Sequence, residues 1–257
     1  MGGLDGITIV IPTYNEKENI SIIIPQICKV LGKKYRYEIF IVDDDSPDGT
    51  WKHAQSMASM YPVRVYRRIG KRGLASAIIE GIIRAKYKNV IVMDADLQHP
   101  PEALIRMISA LKTRDLVIAS RYMPGGGVKN WSKIRLLISR GAIFLAHLLL
   151  PKTRRISDPM SGFFGLKKDI IRNTRLNVLG YKILLEIIMK GKYKSIIEVP
   201  YVFGVRAYGE SKLSTVTIMD YIRHLAILMI QTGSMKKIFS CIIALLIVLG
   251  FFVRYFR

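Results

Sequence analysis

The sequence predicts an α/β fold: a mostly parallel central sheet with helices on both faces. Three observations lead there. Short strand-like runs alternate with helix-like segments through the first half of the 257 residues. Most of the runs, ITIVIP first among them, are unbroken apolar stretches, which is the pattern of strands buried on both faces. Segments rich in Ser, Pro, Asp and Gly separate them at short spacing.

The elements follow in order. ITIVIP (Ile7 to Pro12) reads as a central strand closed by proline. Asn15 is expected to cap the next helix, with Glu16 and Glu18 in its first turn, where they favour the helix dipole. YEIFIVDDD is a second strand ending in acids, followed by the turn SPDG and a helix from Thr50. VRVYRR is the third strand, and GLASAIIEGIIRAK a helix opened by Gly73. NVIVMDAD is the fourth strand, again ending in acids, and PPEALIRMISALK the helix after it, with proline at its start. DLVIAS is the fifth strand, and DPMSGFFGLKKD a strand feeding a helix. Two long apolar helices with a few cations, at about 131–150 and 214–231, have the amphipathic character of a lipid boundary and are also compatible with core helices.

At the C-terminus, IFSCIIALLIVLGFFV (Ile238 to Val253) carries no charge and is bracketed by Lys236, Lys237 and Arg254. It is expected to be a membrane anchor, short of the usual ~20 apolar residues but extended by snorkelling cations and interfacial aromatics. The expected division is a catalytic domain at 1–235 and a transmembrane segment at 236–257, with the preceding cations placing the domain on the cytoplasmic side. Met1 to Gly6 is too short and too polar for a signal peptide.

Forty Lys and Arg against nineteen Asp and Glu give a net charge of +21, which favours an anionic partner. Cys28 and Cys241 lie in unrelated contexts and form no disulfide framework. His53, His99, His147 and His224 lack zinc-type spacing and read as structural or surface residues.

In so basic a chain the acids stand out. Ligands of open α/β sheets bind at the carboxyl ends of the strands, where Asp43 to Asp45 and Asp94 to Asp96 both fall. Asp94 and Asp96, one residue apart with Gln98 in reach, suit Mg²⁺ or Mn²⁺, which would reconcile carboxylates with a diphosphate. The same pair also reads as a solvated turn. Neither dinucleotide-type nor P-loop glycine patterns occur, so a nucleotide would be held by side chains and a metal, Tyr14 flanking a base and Asp43 accepting from base or ribose.

VIPTYNE, VDDDSPDGT, MDADLQHPPE, ASRYMPGGGVKNW, RLLISRGA, DPMSGFFGLKK and YGESKL, in this order, resemble the dolichol-phosphate mannosyltransferases, a membrane-associated branch of glycosyltransferase family 2 with the GT-A fold. The resemblance runs from about Ile7 to Gln231. It implies inverting transfer of mannose from GDP-mannose to a dolichyl or other polyprenyl phosphate. By motif it implies Pro12, Tyr14, Glu16, Ile41 and Asp43 in the nucleotide pocket, and Asp94, Ala95, Asp96 and Gln98 in the metal and diphosphate loop. Lys182, Arg206 and Lys212 would bind phosphates or sugar, Arg121 would serve catalysis and phosphate binding, and Arg135 and Ser139 would meet the acceptor phosphate. Asp158 falls beside the sugar. Arg135 and Ser139, four apart, share a helix face.

Other readings remain open on the residues alone. One is a polyprenyl-phosphate glucosyltransferase or relative using another nucleotide sugar. A processive polysaccharide synthase would carry a Q-x-x-R-W string, which is absent. A nucleic-acid binder accounts for the charge but has no recognisable module, and the acidic tips oppose it; no nucleic acid is expected as partner.

Overall fold

The computed structural model describes residues 5–177, 182–205 and 215–233. Its core is a seven-stranded sheet ordered β3-β2-β1-β4-β7-β5-β8. These strands are β1 (Ile7–Thr13), β2 (Tyr37–Asp43), β3 (Val63–Arg67), β4 (Asn89–Val92), β5 (Leu116–Ser120), β7 (Phe164–Lys167) and β8 (Ile196–Pro200). β7 runs antiparallel to both its neighbours, and the other pairings are parallel. The mostly parallel sheet is therefore as the sequence predicts, with one inserted reversal. A second, two-stranded sheet pairs β6 (Gly127–Val128) with β9 (Val202–Phe203).

Full burial of β1, β4 and β5 explains their unbroken apolar sequences. One face is covered by α1 (Lys17–Leu31), α2 (Thr50–Met57) and α4 (Ala103–Leu111), which bury Ile20, Ile24, Ala54, Leu104 and Met107 against Ile9, Ile39 and Ile91. The other takes α3 (Leu74–Arg84) and α6 (Ile183–Lys190), packed through Ile78, Ile82, Leu184 and Ile187 on Val10, Val42 and Val92. The crossovers diverge at β1, which pairs with β2 on one side and β4 on the other. That switch point opens a crevice at the carboxyl ends of β1 and β4.

The cap of α1 differs from expectation. Asn15 takes a left-handed conformation (φ 58°) and the cap position falls on Glu16, with no side-chain cap bond. The loop is instead tied across to the β2 turn, the Asn15 amide donating to Ser46 Oγ and the Glu16 amide to Thr50 Oγ1.

The expected boundary helices are α5 (Lys133–Leu149) and α7 (Thr215–Gln231). Each does two things. Ile143, Ala146 and Leu150 pack with Leu225 and Leu228 and with Leu185 and Met189 of α6. The remaining faces hold apolar side chains in solvent: Leu137 is 73% exposed, Phe144 65% and Met219 67%. Among the described residues no helix is long and apolar enough to cross a membrane. The expected anchor at 236–257 and its boundary with the catalytic domain lie outside the described residues.

Candidate active site

β4 ends in the loop Met93 to His99, which folds back on itself. The Gln98 amide donates to Asp96 Oδ1, and Leu97 sits at φ 64°. Gln98 is held twice by Gly204: its Nε2 donates to the Gly204 carbonyl at 3.1 Å, and the Gly204 amide donates to the Gln98 carbonyl at 2.8 Å. This use of Nε2 reserves Oε1 for a different contact. Asp96 and Gln98 are buried and Asp94 is partly exposed.

The loop forms part of a cavity of about 490 Å³ also lined by Arg121, Arg135, Ser139 and Lys182. The predicted acidic tip and four of the predicted phosphate-binding residues thus come together from β4, β5, α5 and the start of α6. Ile138, Leu145 and Ile222 extend the wall along the two boundary helices, so the polar end continues into an apolar one.

Arg121 follows β5 and is almost wholly enclosed. Its Nε donates to Asp158 Oδ2 at 2.7 Å and its Nη2 to Oδ1 at 2.8 Å, a two-pronged pairing. Asp158 is itself buried, and its backbone amide donates to Glu198 Oε1. Burial alone would lower the guanidinium's pKa; the Asp158 hydrogen bonds and charge reverse this and raise it. Gly126 is needed beside this arginine, since a Cβ there would come within 2.6 Å of the Ser120 carbonyl oxygen and 2.9 Å of Arg121 backbone atoms. Lys182 shares the enclosure. Burial, reinforced by the Arg121 charge, lowers its pKa, while Asp158 and Asp94 oppose the shift.

On α5, Arg135 stacks over Trp131, its Cζ 4.3 Å from the ring centroid. One turn on, Ser139 Oγ accepts from the Tyr122 hydroxyl at 2.7 Å, which leaves the serine's own proton free to donate elsewhere.

The predicted nucleotide residues stand apart from this cavity's lining, at the tips of β1 and β2. Pro12 and Ile41 are buried within the strands, and Glu16 Oε2 accepts from Asn19. Asp43 is fully buried. Its Oδ2 accepts from Thr13 Oγ1 and Ser46 Oγ, and its Oδ1 from the Ser46 amide. It knots the two tips together rather than offering an exposed carboxylate. Tyr14 stands beside it, half-buried, with the Arg72 guanidinium 4.4 Å from its ring centroid. Arg206 and Lys212 lie outside the described residues.

Of the four histidines read as structural or surface residues, His99 is the one that lines the cavity. It is buried, and its Nδ1 accepts the Asp94 amide at 3.0 Å. Burial pushes the imidazole's pKa down to about 4, against the pull of the Asp96 carboxylate. The sequence held a signal for this in the placement of His99 directly after the acidic tip.

The tip offers two carboxylates and an amide oxygen, hard donors that fit Mg²⁺ or Mn²⁺. Among the described residues no group of three or more His, Cys, Asp or Glu side chains converges. Protein ligands would therefore complete only part of a coordination shell, as expected of a site finished by substrate phosphates and water.

Residues 8–175 match the sequence pattern of Glycosyl transferase family 2. The chain belongs to that family. This glycosyltransferase is 49% identical over 233 residues to a dolichol-phosphate mannosyltransferase of Pyrococcus furiosus, covering 90% of this chain and 66% of the relative. The chain thus spans just under two thirds of that relative's length. It is 37% identical over 230 residues to a dolichol-phosphate mannosyltransferase of Saccharomyces cerevisiae, covering 85% of each. Among solved structures it is similar to mannosyl-3-phosphoglycerate synthase from Rubrobacter xylanophilus (TM-score 0.69, 20% identity, 89% of this chain and 75% of that one). It is also similar to glucosyl-3-phosphoglycerate synthase from Mycobacterium tuberculosis, solved with Mn²⁺, UDP and glucosyl-3-phosphoglycerate (TM-score 0.65, 18% identity, 88% and 79%). These structural likenesses establish the GT-A fold of the glycosyltransferase.

Proposed function

We propose that the protein transfers mannose, with inversion, from GDP-mannose to dolichyl or another polyprenyl phosphate at the cytoplasmic face of a membrane. The observation that carries this reading is the single cavity in which an acidic strand tip meets Arg121, Arg135, Ser139 and Lys182 and then continues between apolar helices. Such a cleft suits a phosphate joined to a hydrocarbon chain. The names of the two mannosyltransferase relatives support the sugar and the lipid class.

The acceptor is a phosphate monoester, largely dianionic near neutral pH because its second pKa is about 6. It needs no general base. Its oxygen bonds to the anomeric carbon of mannose as the bond from that carbon to the diphosphate breaks, and GDP departs with the electron pair. The chain's task is to hold two anions close together in line. Arg135, oriented by Trp131, and Ser139, which accepts from Tyr122 and keeps its own proton to donate, would grip the acceptor phosphate. Arg121, fixed by Asp158, and Lys182 would neutralise charge between the two phosphates, and Tyr14 would flank the base, with Arg206 and Lys212 adding phosphate contacts. Asp96, Gln98 and Asp94 would hold Mg²⁺ or Mn²⁺, which when bound withdraws electron density from the departing diphosphate.

The solvent-facing apolar side chains of α5 and α7 would lie on the bilayer, with 236–257 as anchor and the basic surface drawn to anionic lipid at about 1 kcal/mol per cation.

The deciding experiment offers GDP-mannose, UDP-glucose and other nucleotide sugars against a polyprenyl phosphate, with and without EDTA. Mannosyl transfer from GDP-mannose that stops with chelator and returns with Mg²⁺ or Mn²⁺ is expected. Preference for another donor, or indifference to exhaustive chelation, would overturn the donor and metal assignments respectively. Asp96→Ala is expected to reduce turnover more than ~10²-fold while the melting temperature stays near that of the wild type.

A further inference from the structure

The histidine that follows the acidic tip makes contacts that a space-filling side chain does not need. His99 is 1% exposed and lies flat against Phe163, ring centroids 4.9 Å apart at 19°. Tyr201 and Phe203 meet it edge-on at 5.7 Å each. Three rings from two distant segments thus fix the plane of the imidazole. Its two nitrogens stand differently to Asp94. Nδ1 accepts the backbone amide of Asp94 at 3.0 Å, and Nε2 lies 3.9 Å from Asp94 Oδ2. A nitrogen that accepts an N–H carries no proton of its own, so the proton of the neutral ring sits on Nε2.

We propose that His99 is a positioning residue for the acidic tip. One imidazole, locked in its Nε2–H form, sets the backbone of Asp94 through Nδ1. This rests on the reading of the tip as the metal and diphosphate loop. The separation at Nε2 is too long for a hydrogen bond, and the Nε2–H bond diverges from the Nδ1 lone pair, away from Asp94. The Nδ1 contact closes the loop from residue 94 to residue 99 and so determines how the donors between them are presented.

The opposite wall agrees with this assignment. At Gly162 an added Cβ would come 3.1 Å from Asp94 Oδ2 and 3.5 Å from His99 Cε1. Any larger side chain would press on the carboxylate and the ring together. The residue before Phe163 is therefore small where the pair needs room, and Phe163 itself supplies the stacking surface.

Ring chemistry dictates the test. His99→Phe preserves the stack and removes both nitrogens. His99→Asn returns an acceptor near the position of Nδ1 and gives up the rest of the ring. With the full chain, Mn²⁺ affinity would be measured in the presence of GDP by the electron-spin-resonance signal of free Mn²⁺, alongside melting temperature and GDP binding without metal. We expect His99→Phe to fold and to bind Mn²⁺ about 10- to 100-fold more weakly, the usual cost of losing a group that orients a ligand. His99→Asn should recover part of the loss, and metal-free GDP binding should stay constant. Wild-type affinity in His99→Phe, or no recovery in a folded His99→Asn, would overturn the inference. Should His99→Phe fail to fold, nitrogen-15 spectra of the wild-type imidazole decide: protonated Nε2 with bare Nδ1 supports the inference, and protonated Nδ1 defeats it. A wild-type chain that binds no Mn²⁺ in the presence of GDP would defeat the underlying metal reading instead.

Discussion

The side chains around Arg121 show how single residues are committed to the site before any substrate arrives. A buried guanidinium is costly unless its donors are met, and Asp158 meets two of them along the carboxylate edge. Asp158 is held in turn, its amide and that of Ser157 both donating to Glu198. Asp158→Asn keeps the shape and removes the charge, leaving an uncompensated buried cation; about 3–5 kcal/mol of folding stability should be lost, measured by denaturant unfolding. A loss below ~1 kcal/mol would mean that water reaches the arginine. Sequence motifs marked both residues but not their pairing, because they lie 37 positions apart and meet only through the sheet. His99 was harder to recognise. Its aromatic partners come from positions 163, 201 and 203, and no local spacing records that three rings converge on it. Asp43 reads from the sequence as a ligand group at a strand tip, and the fold adds hydrogen bonds to it from Thr13 and Ser46.

Among the elements, the amino-terminal ends of the strands carry a second acid with a purely structural task. Glu38 of β2 is buried. It accepts from Thr8 of β1, from the Arg64 guanidinium of β3 and from the Lys86 amide beyond α3. Burial would raise its pKa, but these hydrogen bonds outweigh burial and hold it below the ordinary carboxylate range. The folded state therefore binds this proton less readily than the unfolded chain. The resulting stability is present above the unfolded pKa and is lost as pH falls through the depressed folded value. Glu38→Gln should lower the melting temperature at pH 7, and the gap from wild type should narrow as the pH drops below about 4. A gap that stays constant with pH would remove the charge from the explanation. The strands themselves were legible because their apolar runs are local. The direction of β7 was not: its antiparallel place between β4 and β5 depends on pairings with residues 46 or more positions away.

For the molecule as a whole, the proposed function raises the question of how the cavity would reach a lipid phosphate. α5 and α7 each bury one stripe in their shared cluster and turn another stripe of apolar side chains to solvent. Replacing the outward Leu137 by glutamate should leave stability within about 0.5 kcal/mol of wild type, as is usual for an exposed position. It should weaken flotation with anionic vesicles, and more so at high salt, where the basic surface contributes less. Unchanged flotation would remove this face from the proposed membrane contact.

The linear order of residues was sufficient for the α/β alternation, the acids at the ends of β2 and β4 and the two apolar helices, because each is written in local composition, periodicity or contiguous motif. Tertiary structure alone decided that Asp94, Arg121, Ser139 and Lys182 line one cavity, that Asp158 locks Arg121, that Asp43 is a knot between strands, and that His99 faces the acidic tip. Those facts belong to contacts between segments that are remote in the chain. Burial sets their strength, and burial exists only once the sheet and its helices have closed around them.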